Sequence, residues 1–134
     1  MGVFGYFGGD AIAKRILMVD DEAGFSRAVK YALEKEGYEV LTASNGLQGL
    51  MTAQKEDIDL LILDVMLPGL DGYEVCNRLR SNPKTAKLPI IMLSAKGQDV
   101  DRTTGLTVGA NEYISKPVEN TTLIARIASW LEES

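Results

Sequence analysis

Asp20, Asp21 and Asp64 each stand directly behind a short apolar run: ILMV at 16–19 precedes the acid pair, and LLIL at 60–63 precedes Asp64. A third run, IIML at 90–93, is followed by Ser94. An uninterrupted apolar run of this length reads as a strand covered on both faces, because a half-exposed strand would alternate. In open parallel sheets ligands bind outside the carboxyl ends of the strands. Three acids converging there repel one another, by about 4 kcal/mol per pair at about 4 Å and an effective dielectric of about 20. Such a cluster asks for a cation, and a hard divalent ion such as Mg²⁺ takes carboxylates, waters and a phosphate oxygen. Taken singly, the acid pair could equally serve a helix N-terminus, and Asp64 could be a loop acid bonded to backbone N–H groups. Lys116, in ISKP, adds a cation, and Pro117 permits a cis bond beside it. Ser94 adds a hydroxyl. Acids for a metal, an acid as acceptor, a lysine and a hydroxyl are the parts that phosphoryl transfer to a carboxylate requires.

These residues need a scaffold that brings distant strand ends together. Phe25, Ala28, Val29, Ala32 and Leu33 recur at helical spacing and stop at Gly37. YEVLTA at 38–43 reads as a strand, and Leu47, Leu50, Met51 and Gln54 suggest a helix before LLIL. PGLDG after Asp64 is a turn cluster. Further helices are expected over 73–80, ended by Asn82-Pro83, and over 100–108. A short strand at 112–114 and a last helix carrying Leu123, Ile124, Ile127 and Leu131 complete the chain. Strands alternating with helices of about ten residues build right-handed βαβ units, and so a parallel sheet with helices on both faces.

At 134 residues the chain has the length of one domain, and 46% hydrophobic with 25% charged residues is ordinary for a globular protein. No apolar run approaches the eighteen or so residues of a membrane span, so no membrane association is expected. A net charge of -5 without a block of basic residues argues against nucleic-acid binding by this chain. The single cysteine, Cys76, forbids an internal disulfide, and the absence of histidine removes Ser-His and Cys-His catalysis and the usual zinc sites. Cys76 and Trp130 read as packing residues on helices. Residues 1–14 form an arm of different composition, rich in glycine and carrying Phe4, Tyr6 and Phe7. It is either a loose tail or a segment that docks on a neighbouring surface. It lacks the basic and apolar regions of a secretory signal, which points to the cytoplasm.

Asp20-Asp21, LDVMLPGLDG around Asp64, LSA at 93–95 and GANEYISKP at 109–117 together closely resemble the receiver domain of two-component response regulators, over residues 15–132. The resemblance implies a flavodoxin-like doubly wound α/β fold: a five-stranded parallel sheet in the order 2-1-3-4-5 with five helices. It implies that Asp64 is the phosphoacceptor and that Asp20, Asp21, Asp64 and the backbone carbonyl of Met66 hold Mg²⁺. Ser94, Ala95 and Lys116 would bind the phosphoryl group, with Ser94 and Tyr113 as the switch pair. Met66 and Lys96 fall at positions that vary in the family and tune phosphoryl lifetime. From the residues alone, Tyr113 is either an edge residue with its hydroxyl in water or a ring that turns from solvent into the sheet edge.

The expected function is a switch that accepts a phosphoryl group and changes the surface it offers. It would catalyse only its own phosphorylation and dephosphorylation. The expected partner is a sensor histidine kinase or phosphotransfer protein, with a homodimer through the fourth helix, fifth strand and fifth helix as a further expectation. DRTTGLTVGANEY with LIARI is similar to receivers that precede winged-helix DNA-binding domains. Two rival readings are a Mg²⁺-dependent aspartyl phosphatase of the haloacid dehalogenase kind and an inert receiver-like scaffold. The first needs a second acid two residues after Asp64, where Met66 stands, and the second leaves the complete acid, hydroxyl and lysine set unexplained.

Overall fold

The computed structural model describes residues 13–95 and 100–131. The expectations for Phe4, Tyr6 and Phe7 of the arm and for Lys96 lie outside those residues. Ten elements alternate: β1 (Arg15–Val19), α1 (Ala23–Lys35), β2 (Glu39–Ala43), α2 (Gly46–Lys55), β3 (Leu60–Asp64), α3 (Gly72–Arg80), β4 (Ile90–Ala95), α4 (Val100–Thr107), β5 (Glu112–Lys116) and α5 (Asn120–Leu131). The strands pair in parallel in the order β2-β1-β3-β4-β5. This is the flavodoxin-like doubly wound arrangement.

Alternation along the central strands divides the core in two. Leu17, Val19, Leu61, Leu63 and Met92 pack with Leu50, Ala53, Val75 and Leu79 on the face of α2 and α3. Ile16, Met18, Leu60, Ile62, Ile91 and Leu93 pack with Val29, Leu33, Leu123 and Ile127 on the face of α1 and α5. All four residues of LLIL are fully buried, which explains the unbroken apolar run. Each such side chain contributes about 1.5–3 kcal/mol by leaving water.

Two helices differ from their sequence pattern. On α1 the buried side chains are Ser26, Val29 and Leu33, while Ala28 is exposed. On α2 the apolar pair Leu47 and Met51 faces solvent, and the buried residues are Gly46, Gly49, Leu50 and Ala53. The cause is close approach: a Cβ on Gly49 would lie 2.7 Å from a Val19 methyl, and one on Gly46 would lie 1.8 Å from the Leu70 carbonyl oxygen. Small residues let α2 sit tightly on the sheet, and an apolar periodicity cannot report a glycine face.

β5 runs two residues beyond the expected 112–114, so that Ser115 pairs with Ser94 and Lys116 with Ala95. Its start is clamped to β4 by Asn111. The Asn111 backbone N–H donates to the Ile90 carbonyl at 2.8 Å, and its side-chain oxygen accepts from the Ile90 N–H at 2.8 Å and from Arg80 Nη2 at 2.9 Å. Arg80 also donates to the carbonyls of Gly109, Thr85 and Ala86. Asn111→Ala leaves the Ile90 N–H without this acceptor at the start of a strand whose first five residues are buried. It is expected to cost about 1–3 kcal/mol, read as a lower urea midpoint at unchanged slope.

Candidate functional site

The carboxyl ends of β1, β3, β4 and β5 deliver the site. Asp20 follows β1 and donates its backbone N–H to the Ala43 carbonyl at 3.1 Å, which ties it to the end of β2. Asp64 is the last residue of β3. Behind it the turn folds back so closely that a Cβ on Gly72 would lie 2.3 Å from the Asp64 carbonyl oxygen. Asp71 caps α3 there by accepting the Glu74 N–H at 2.9 Å, and Gly72 donates its N–H to the Val65 carbonyl at 2.9 Å. PGLDG therefore acts as a brace under Asp64, with Gly69 at φ +73 making the turn.

Asp20, Asp21 and Asp64 each offer a carboxylate oxygen, all within 4.8 Å of one another. Asp20 and Asp64 are buried, at 2% and 6% exposure, and Asp21 is exposed. One Asp20 oxygen accepts the Glu22 N–H at 2.8 Å, and the other accepts Lys116 Nζ at 2.8 Å. Lys116 Nζ also lies 2.9 Å from Glu22 Oε1 and 3.6 Å from Asp64 Oδ2, with the Phe25 ring centroid at 4.7 Å. The Lys116–Pro117 bond is cis.

Burial, then the charge of Asp20, pushes the Asp64 carboxyl up to about 6, while Lys116 and the Met66 backbone N–H pull the other way. The Lys116 ammonium is lowered by burial, but hydrogen bonds to Asp20 and Glu22 and the charges of Asp64 and Asp20 outweigh that and hold it above its ordinary value. One cation thus answers several acids, and at Asp64 burial and the charge of Asp20 outweigh its pull. An all-oxygen cluster with excess negative charge fits a hard divalent cation.

The sequence-derived residues converge unevenly. Asp64, Met66, Ala95, Lys116 and Pro117 line one cleft with Asp21, Glu22, Phe25 and Val118, and the buried Asp20 joins them through its 2.8 Å ion pair with Lys116. Ser94 is buried at 1% exposure and directs its hydroxyl to the Ala95 carbonyl at 3.3 Å. Tyr113, which the sequence leaves as either an edge residue with its hydroxyl in water or a ring that turns from solvent into the sheet edge, is buried, at 3% exposure, in the core beneath α4. Gly105 of α4 makes the space, since a Cβ there would lie 2.8 Å from the Tyr113 ring and 3.0 Å from Met92 sulfur. Glu22 and Phe25 were not legible as site residues. Glu22 prolongs an acid pair already explained, and Phe25 fits the apolar stripe of α1, where it is half-buried.

The family model for the response regulator receiver domain matches residues 16–128. The phosphate regulon transcriptional regulatory protein PhoB of Rhizobium meliloti (strain 1021) is 44% identical over 120 residues, covering 90% of this chain and 53% of that protein. The alkaline phosphatase synthesis transcriptional regulatory protein PhoP of Bacillus subtilis (strain 168) is 45% identical over 121 residues, covering 90% and 50%. The chain spans about half the length of these curated relatives. Among solved structures, the chemotaxis response regulator CheY4 of Vibrio cholerae matches with a TM-score of 0.84 at 32% identity, over 90% of this chain and 100% of that one. The receiver domain of the sensor histidine kinase PA1611 from Pseudomonas aeruginosa PAO1, with a magnesium ion coordinated in its active-site cleft, matches with a TM-score of 0.82 at 29% identity, over 89% and 98%.

Sheet order, acid cluster and these matches define a signalling switch of the receiver type, controlled by phosphorylation. The chain belongs to the response regulator receiver domain family. Receiver domains of response regulators interact with histidine kinases.

The raised Asp64 value sets a pH dependence. An acid whose folded-state value, about 6, exceeds its ordinary 3.8 binds its proton more tightly when folded, so metal-free stability falls as pH rises through that window. The loss approaches about 3 kcal/mol by pH 7. Asp64→Asn removes it. In chelator the variant is expected to melt above the wild type at pH 7, with the gap closing toward pH 4; equal midpoints at pH 7 contradict the account.

Proposed function

We propose that Asp64 accepts a phosphoryl group from the phosphohistidine of a sensor histidine kinase or phosphotransfer protein, with Mg²⁺ held by Asp20, Asp21, Asp64 and the Met66 carbonyl. The observation that carries this is the convergence of the three carboxylates within 4.8 Å, with Lys116 Nζ at 3.6 Å from Asp64. The magnesium-bound receiver of PA1611 supports the choice of metal.

The chain's own residues supply acceptor and positioning. With its carboxyl at about 6, Asp64 is mostly ionised at neutral pH and can attack phosphorus; a P–O bond forms to Asp64 as the P–N bond to the donor imidazole breaks. The Gly72 brace fixes the backbone from which Asp64 projects, so the acceptor is held rather than searched for. Lys116 can follow the charge onto a phosphoryl oxygen, and the Ser94 hydroxyl, one residue before the Lys116 register partner Ala95 on β4, can leave the Ala95 carbonyl to donate there. A bound divalent cation contributes the charge neutralisation that lets a dianionic group approach a carboxylate cluster.

Water attacking the same phosphorus returns Asp64, so the only chemistry assigned to the chain is its own phosphorylation and dephosphorylation. Movement of Ser94 and Lys116 transmits to α4, β5 and α5, since Ser94 and Lys116 lie on paired strands and Tyr113 packs under α4. That face is our choice for a homodimer contact. Because Tyr113 is already buried, its part in the switch is a change of packing against Gly105 rather than an inward turn. In the whole protein, the relatives PhoB and PhoP, both transcriptional regulatory proteins, favour a DNA-binding output unit, while this chain with net charge -5 has no basic footprint of its own. Among the described residues no helix is long and apolar enough to cross a membrane. A cytoplasmic receiver at residues 15–134, preceded by an arm, fits the partner chemistry.

Incubation with acetyl phosphate and Mg²⁺ is expected to add one acid-stable, base-labile phosphate per chain, read by intact mass. Asp64→Asn is expected to abolish it, and undiminished labelling in that variant moves the acceptor elsewhere.

A further inference from the structure

Lys116 is held by more than the acid cluster explains. Its Nζ makes two short contacts, 2.8 Å to Asp20 and 2.9 Å to Glu22, and stands 3.6 Å from Asp64. The Phe25 ring lies 4.7 Å from the same nitrogen. An ammonium has three donors, and two are thus committed away from the acceptor carboxylate. Asp20 is also a metal ligand in the proposed site, which leaves Glu22 as the carboxylate whose hold on the lysine a metal does not contest. The Glu22 side chain is 63% exposed against 15% for Lys116, so this contact pulls the ammonium toward the outer wall of the cleft.

We propose that Glu22 and the Phe25 ring form a holding place for the Lys116 ammonium outside the phosphoryl position, so that Glu22 competes with the phosphoryl group for the lysine. The inference rests on the reading that Asp64 takes the phosphoryl group. Both are positioning residues: neither touches the reacting atoms, and each acts through Lys116. The Phe25 face favours a cation in front of it, and Glu22 closes the holding place from the solvent side. Engagement of the phosphoryl group through more than the one remaining donor requires Nζ to break the Glu22 contact, and the ring contact weakens as it leaves. Glu22 therefore lowers the affinity of the site for the phosphoryl group in proportion to its own hold on the lysine.

A double-mutant cycle separates this from the general field of a nearby carboxylate. Beryllofluoride binding in Mg²⁺ is measured by calorimetry for the wild type, Glu22→Gln, Lys116→Met and the double variant. Glu22→Gln is expected to bind about two- to fivefold more tightly, the scale of a partly exposed ion pair, with no gain in the Lys116→Met background. An equal gain in both backgrounds, or none in either, overturns the inference while leaving the Asp64 reading intact. Failure of the wild type to bind overturns the Asp64 reading and the inference with it. An independent readout does not rely on Lys116→Met: the Lys116 ε-methylene protons are expected to carry an upfield ring-current shift that Phe25→Leu removes and beryllofluoride reduces. A shift unchanged by beryllofluoride also overturns it.

Discussion

Two buried carboxylates, Asp20 and Asp64, share a single ammonium with the exposed Glu22 at the carboxyl edge of the sheet, with the exposed Asp21 beside them, and the rest of the architecture holds that imbalance in place. Asp20 and Asp64 lose water, Asp21 keeps it, and Lys116 reaches the buried pair from the last residue of β5. Burial and like charge make the cluster costly in isolation. At Asp64 that cost shows as a carboxyl pushed up to about 6, by burial first and by the charge of Asp20 second. A site strained by excess negative charge answers strongly to a cation and to anything that redistributes its lysine.

The doubly wound sheet meets this demand through strand ends rather than through loops alone. β1 and β3 are neighbours, so the residues that end them are neighbours too, and β4 and β5 bring Ser94 and Lys116 alongside. Tight packing stiffens the frame: Gly49 lets α2 approach Val19 of β1, and Gly72 sets the start of α3 against the Asp64 carbonyl. At the opposite end of the sheet, Asn111 and Arg80 lock the start of β5 to β4, so that β5 presents Lys116 from a fixed base. The output face carries the same economy of volume, with Gly105 of α4 over the buried Tyr113 ring.

Much of this is legible in the sequence. The three unbroken apolar runs announced strands covered on both faces, and the oxygen-bearing residues behind them announced the site, because burial on both sides leaves the strand end as the place for polar chemistry. What escaped was whatever depends on small residues or on shape. The buried face of α2 is glycine and alanine around Leu50, so Leu47 and Met51 imitated a core stripe that faces water. The burial of Tyr113 depends on a missing side chain at Gly105, eight positions away, which no periodicity reveals. Glu22 and Phe25 meet Lys116 only through a contact spanning more than ninety residues of chain, where the spacing of residues carries no information.

The central claim is that Asp20, Asp21 and Asp64 form a cation site whose filling relieves their repulsion. A Mg²⁺ titration of the unphosphorylated domain, followed by thermal melting at neutral pH, tests it most directly. The wild-type midpoint is expected to climb with concentration, by an amount equivalent to about 2.7 kcal/mol at a hundred times the dissociation constant, and to stay nearly flat in Asp21→Ala. A wild-type midpoint indifferent to Mg²⁺, or an equal climb in Asp21→Ala, contradicts the account.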